Sequence, residues 1–222
     1  MRIENIKACV FDAYGTLFDV NSAAAKCKEK LGSKWEGFAN AWRTTQLEYT
    51  WLRSLMKKHK NFWEITEDSL DHTMETFKIK KEMRNELLDL YKKLSPYPEV
   101  KKCLDGLKAK KVKIAILSNG TPDLLKILVE SNNIQNYFDD IFSIESVGIY
   151  KPDSKVYKIP IEKYKCKPEN ICFMSSNTWD VSGGGVFGYN AVWVNRLNKV
   201  FDKLSYKPKH IINNLEELIK II

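Results

Sequence analysis

Short apolar runs alternate along this chain with segments of helical periodicity, and that alternation constrains the fold more than any other feature. Ile6 to Phe11 is rich in β-branched and aromatic residues, follows charge and precedes Gly15, so it reads as a buried strand. Lys113 to Leu117, Ile171 to Met174 and Ala191 to Val194 read the same way, and Ile141 to Ile144 is a weaker member of the set. Between them, segments near 99–110, 121–132, 154–165 and 177–187 are expected to be helical. Alternating strands and helices argue for a parallel sheet with helices on both faces, since parallel strands need crossover connections. The predicted class is α/β, with a Rossmann-like parallel-sheet core.

The stretch from 19 to 97 breaks the alternation. Trp35, Phe38, Ala39, Trp42, Gln46, Tyr49 and Leu52 recur at spacings of three and four, which predicts a long amphipathic helix. Further helices are expected near 67–77 and 80–94, and Pro96 and Pro98 end the block. The sequence thus predicts a core of 1–18 and 98–222, interrupted by a helical insertion over 19–97. In open α/β sheets, ligands sit at the carboxyl ends of the strands. The residues at those ends are Asp12, Ser118-Asn119 and Ser175-Ser176-Asn177, all polar.

Charge excludes some functions. The net charge is +8, but only five of the 36 basic residues are arginine, and the lysines are scattered. A groove that clamps phosphates or reads bases favours arginine forks, so the excess reads as a solvated lysine surface and no nucleic-acid partner is expected. The five cysteines form no Cys-x-x-Cys pair, which fits free thiols in a reducing cytoplasm. No apolar run approaches a membrane span, and residues 1–7 show no apolar signal region, so no membrane association is expected.

Each candidate residue has an ordinary structural explanation when taken singly. Asp12 in Asp12-Ala13-Tyr14-Gly15-Thr16 could stabilise a turn, and Ser118-Asn119-Gly120 could cap a helix. Lys151 could be a surface lysine, and Ser175 to Asp180 could be another cap. Their joint order and spacing say more. Asp12 to Thr16, Ser118, Lys151 and Asp180 resemble the four motifs of the haloacid dehalogenase superfamily, over nearly the whole chain. The insertion then resembles that superfamily's α-helical cap subdomain.

Two departures select a branch within the superfamily. Its phosphatases carry a second Asp two residues after the nucleophile, where this chain has Tyr14, and its magnesium-dependent members carry an acid where this chain has Ser175. Loss of one carboxylate weakens a magnesium site, and loss of the acid removes the proton donor for a phosphate ester. Trp42-Arg43, Gln46 to Met56 and Trp193 to Arg196 are similar to the L-2-haloacid dehalogenases, while Thr44 and Thr45 depart from the longer polar residues expected there.

The resemblance implies a reaction needing no cofactor and no metal. Asp12 would attack C2 of a small 2-halocarboxylic acid to form an ester, which water then hydrolyses. Lys151 would keep Asp12 ionised and Tyr157 would orient the lysine. Ser118 and the backbone N–H groups of Ala13 and Tyr14 would bind the substrate carboxylate, while Arg43 and Asn119 received the halide. Asp180 would be the base, placed by Ser175 and Asn177, with Thr16 steadying Asp12. Tyr14, Leu47, Phe62 and Trp179 would form an apolar wall, although Leu47 and Phe62 serve equally well as ordinary core. The resemblance also implies a homodimer. A magnesium-dependent phosphatase and a non-catalytic binding module on the same fold stay open as rivals.

Overall fold

The computed structural model describes residues 2–222. Six strands form one wholly parallel sheet: β1 (Ala8–Phe11), β2 (Lys113–Ser118), β3 (Asp140–Ser143), β4 (Ile171–Ser175), β5 (Asn190–Val194) and β6 (His210–Ile212), in the order β3-β2-β1-β4-β5-β6. The helices are α1 (Ser22–Lys26), α2 (Lys28–Leu31), α3 (Trp35–Leu55), α4 (Phe62–Phe77), α5 (Met83–Tyr91), α6 (Val100–Ala109), α7 (Pro122–Ser131), α8 (Ser154–Tyr164), α9 (Thr178–Phe187) and α10 (Leu218–Ile221). The predicted α/β class and parallel core are borne out; the ends of the core helices shift by a residue or two, and the helix expected near 80–94 is shorter by three residues at each end. Strand β6 was not expected, and the weak strand lies one residue earlier than predicted, at Asp140 rather than Ile141.

The centre of the sheet is buried on both faces, which is why its strands read as continuous apolar runs rather than as alternating ones. Every residue of β1 and β4 is buried. Strand β1 lies between β2 and β4, so the strand order reverses around it, and a crevice opens at the carboxyl ends there. The register sets Phe11 level with Ile116 on one side and Met174 on the other. Asp12 therefore emerges beside Ser175, and its N–H still donates to the Met174 carbonyl at 2.9 Å.

The chain leaves the core at Phe18 and returns at Pro96, where the two form an antiparallel bridge. Asp19 N–H donates to the Ser95 carbonyl and Tyr97 N–H to the Leu17 carbonyl, which closes the neck. On this neck we infer that 19–97 is a cap. Helices α3 and α4 pack against each other, and Phe38, Ala39, Trp42, Gln46 and Thr50 form the buried stripe of α3. Helix α4 starts five residues before the predicted 67, at Phe62. Asn61 and Glu64 form a reciprocal capping box there, worth about 1 kcal/mol.

Candidate active site

Asp12 ends β1 at the switch point and is 5 % exposed. Gly15 takes φ +90°, a conformation that disfavours side chains, and so lets the chain turn back over the carboxylate. Thr16, one residue further, donates its hydroxyl to Asp12 Oδ2 at 3.1 Å. Asn177 Nδ2 donates to the same oxygen at 2.9 Å, and Ser175 Oγ reaches it weakly at 3.5 Å. The structure thus brings together Asp12, Thr16, Ser175 and Asn177 from opposite ends of the sequence.

The other Asp12 oxygen faces Lys151, whose Nζ lies 3.1 Å from Asp12 Oδ1 and 2.9 Å from Asp180 Oδ2. Lys151 is 1 % exposed. Burial alone would depress its ammonium, but Asp12 and Asp180 outweigh that effect and hold it above its ordinary value. Two buried carboxylates share one cation. Burial, with the nearby Asp12 charge, pushes the Asp180 carboxyl up to about 6 against the pull of Lys151. The close packing behind this triad needs a glycine. A Cβ on Gly183 of α9 would lie 2.5 Å from the Tyr157 hydroxyl and 2.7 Å from Pro152.

Tyr157 corrects one expectation. Its hydroxyl donates to Asp180 Oδ1 at 2.7 Å rather than to Lys151. Tyr157 sits in the first turn of α8, and α9 packs directly on that helix, which places the Asp180 carboxylate nearer than the lysine. Any effect on Lys151 passes through Asp180.

At the end of β2, the Ser118 hydroxyl accepts from the Gly120 N–H at 3.1 Å, which leaves its own proton available. Asn119 Oδ1 accepts from the Lys151 N–H at 3.2 Å, and only an oxygen can meet that donor, so the amide orientation is fixed. Among the described residues, the N–H groups of Ala13 and Tyr14 donate to no group of the chain. The Tyr14 ring packs on Phe62 at 5.0 Å and stacks on Tyr91 at 5.8 Å, and its buried hydroxyl has no partner within the described chain.

Helix α3 supplies Arg43. Its Nη1 donates to Gln46 Oε1 at 2.8 Å and its Nη2 reaches the Tyr14 carbonyl at 3.4 Å. Arg53, Arg84 and Arg196 each pair with a carboxylate, from Asp68, Asp71 and Glu99 respectively. Among the described residues, Arg43 has no carboxylate within ion-pairing distance. Its charge, beside the Tyr14 carbonyl, is therefore open to an anion. Phe62 is buried against Tyr14 and Tyr150, while Leu47 and Trp179 are half-buried. Leu47 shares the Arg43 face of α3, and Trp179 meets the ring of Trp51 edge-on at 5.4 Å.

Sequence reasoning assigned no role to two residues that the structure connects to this site. Arg196 donates to the Thr16 carbonyl at 2.8 Å and stacks on the Tyr97 ring at 3.8 Å, which ties down the Asp12 turn. The scarcity of arginine was the available signal. Gln46 holds Arg43, and its signal was a polar residue on the buried stripe of an amphipathic helix. Among the described residues, no group of three or more His, Cys, Asp or Glu side chains is placed to hold a metal ion. No described helix is long and apolar enough to cross a membrane.

The family model described as haloacid dehalogenase-like hydrolase matches residues 6–188. The chain is similar to (S)-2-haloacid dehalogenase 1 of Pseudomonas sp. (strain CBS-3), at 40 % identity over 99 % of this chain and 98 % of that protein. It also resembles the structure of L-2-haloacid dehalogenase from Xanthobacter autotrophicus with chloropropionic acid covalently bound. There the identity is 32 %, the TM-score is 0.90, and 97 % of each chain is covered. A crystal structure described as a dehalogenase with intermediate complex superposes with a TM-score of 0.97 at 35 % identity, covering 99 % of this chain and 98 % of that one.

Proposed function

The chain belongs to the haloacid dehalogenase-like hydrolases, and from that premise we propose that it hydrolyses (S)-2-haloalkanoic acids to (R)-2-hydroxyalkanoic acids through an ester on Asp12. The observation that carries this reading is the buried Asp12–Lys151 ion pair, facing a cap arginine that has no carboxylate of its own. A halide leaving carbon needs a nucleophile and a receiver for its charge, but no proton. At the position of a phosphatase's acid stands Tyr14, packed into the aromatic cluster.

Substrate enters as an anion. Its carboxylate suits the Ala13 and Tyr14 N–H groups and the Ser118 hydroxyl, which sets C2 against Asp12. An Asp12 oxygen displaces the halide with inversion, and Arg43 and Asn119 receive the departing charge. Tyr14, Leu47, Phe62 and Trp179 bound this space, and a dry wall strengthens the fixed charges. Water then gives a proton to Asp180 and adds to the Asp12 carboxyl carbon. The bond from that carbon to the ester oxygen, which came from Asp12 and stays on C2, then breaks. That oxygen takes the proton of the newly formed Asp12 carboxyl, which frees the hydroxyacid and restores the Asp12 carboxylate, and Asp180 releases its proton to solvent. A base with its carboxyl near 6 is suited to neutral pH. Thr16, Ser175 and Asn177 hold Asp12 in place, and Tyr157 and Lys151 hold Asp180.

One assay tests the reaction: halide release from (S)-2-chloropropionate, with EDTA present, across pH. Release should persist under chelation and decline as the pH falls below about 6, because Asp180 then takes up a proton and stops acting as a base. Loss of halide release on chelation with recovery on magnesium would contradict the metal-free reading, and magnesium-dependent phosphate release from a generic ester would favour the phosphatase rival.

A homodimer is part of this reading. Leu52, Leu55 and Met56 are 51 %, 79 % and 60 % exposed at the end of α3, and this apolar patch supports self-association. Sedimentation at the monomer mass would remove it. The five free cysteines support a cytoplasmic location.

A further inference from the structure

We infer that Gln46 is a positioning residue that fixes Arg43 for the departing halide without neutralising it. This rests on the reading of Arg43 as the halide's receiver.

Gln46 is 1 % exposed and sits one turn beyond Arg43 on α3. Its Oε1 accepts from Arg43 at 2.8 Å, and its Nε2 donates to Thr66 Oγ1 at 2.7 Å and to the Tyr91 hydroxyl at 3.0 Å. The amide can lie only one way round. A guanidinium only donates, so it must face Oε1. Thr66 spends its proton on the Phe62 carbonyl at 2.7 Å, so its oxygen accepts from Nε2. Three helices meet on this one amide: α3 through Gln46, α4 through Thr66 and α5 through Tyr91. Trp42 adds a bond from its indole to the Thr66 carbonyl at 3.1 Å. Tyr91 in turn stacks on Tyr14, whose carbonyl is the other contact of Arg43.

Elsewhere in this chain, carboxylates from Asp68, Asp71 and Glu99 hold Arg53, Arg84 and Arg196 and cancel much of their charge. Arg43 is held by a neutral amide. That choice orients the guanidinium and leaves its full charge for an anion that appears only as the carbon–halogen bond breaks. Without Gln46, the remaining bond is the 3.4 Å contact to Tyr14, too long to hold a flexible side chain.

The test compares the wild-type protein with Gln46→Met and Gln46→Glu on (S)-2-chloro-, bromo- and iodopropionate, with inhibition by bromide measured in parallel. Gln46→Met should lose roughly 10- to 100-fold in kcat on the chloro substrate, since about 1 Å of misplacement costs up to that much. KM should change far less. The loss should shrink from chloride to iodide, because a better leaving group depends less on its receiver. Gln46→Glu keeps the shape and adds a cancelling charge, so its loss should be at least as large and bromide inhibition should weaken. It also carries the test if Gln46→Met fails to give a native circular dichroism spectrum. Equal losses on all three halides with unchanged bromide inhibition would reduce Gln46 to a packing residue and overturn the inference. Wild-type rates in both variants would overturn it too. A wild-type protein that released none of the three halides would instead sink the proposed reaction, and that control is read first.

Discussion

Lys151→Met is expected to lower dehalogenation by about 10²- to 10⁴-fold and to move what activity remains to higher pH. Among the described residues, Lys151 is the only group that touches both buried carboxylates, at 3.1 Å from Asp12 and 2.9 Å from Asp180. Breaking a buried ion pair by removing one partner costs about 3–5 kcal/mol, because a charge is left uncompensated. At about 1.4 kcal/mol per tenfold, a penalty of that size on the ionised nucleophile gives the stated loss. Two carboxylates brought together without the ammonium avoid the penalty by sharing a proton, as acid pairs do at close range. The reactive anion of Asp12 then returns only as the pH rises and that proton leaves. The wild-type protein should show its acid edge at lower pH, falling below about 6 as Asp180 is protonated. The measurement is halide release from (S)-2-chloropropionate between pH 5 and 10. A variant with wild-type rate and an unshifted profile would show that Asp12 does not need its cation.

How much of this was legible in the sequence depended on whether the signal was local. The buried strands were legible, because a parallel sheet covered on both faces makes short unbroken apolar runs. Asp12, Ser118 and Ser175 could be placed at strand ends for the same reason. Strand β6 was not legible: it has three residues, His210, Ile211 and Ile212, and owes its pairing to β5 rather than to its own composition. The start of α4 was written in the sequence as Asn61-x-x-Glu64, but Phe62, Trp63 and Ile65 do not repeat cleanly enough to mark the first turn. The partner of Tyr157 could not be read at all. Whether it meets Lys151 or Asp180 depends on how closely α8 and α9 approach, and a Cβ on Gly183 would already collide with its hydroxyl. Gln46 was visible as a polar residue on a buried stripe, yet its function depends on Thr66 and Tyr91, 20 and 45 residues away.

A single turnover in ¹⁸O-water, with enzyme in excess, is expected to give unlabelled 2-hydroxyacid and to leave one ¹⁸O on Asp12. Connectivity requires this outcome if Asp12 is the nucleophile. The oxygen bonded to C2 is then the protein's own, and water attacks the carboxyl carbon rather than C2. The geometry favours that route. Three side chains, Thr16, Ser175 and Asn177, converge on Asp12 Oδ2 while Lys151 holds Oδ1, so the carboxylate is rigidly aimed. Asp180 is locked separately by Tyr157 and Lys151. The competing mechanism has Asp12 or Asp180 activate water to strike C2 directly, which is ordinary chemistry for a carboxylate beside a bound water. It also inverts C2, so the configuration of the product cannot separate the two. The position of the label can. Direct attack puts ¹⁸O in the hydroxyacid on the first turnover and leaves every aspartate unlabelled. Mass analysis of the peptide containing Asp12 and of the product would read both pools from one experiment. A labelled first-turnover product would rule out the ester, even if the protein released halide as proposed. Asp12→Asn is the weaker test, since a side-chain amide in such a site can hydrolyse back to the acid and restore activity with time.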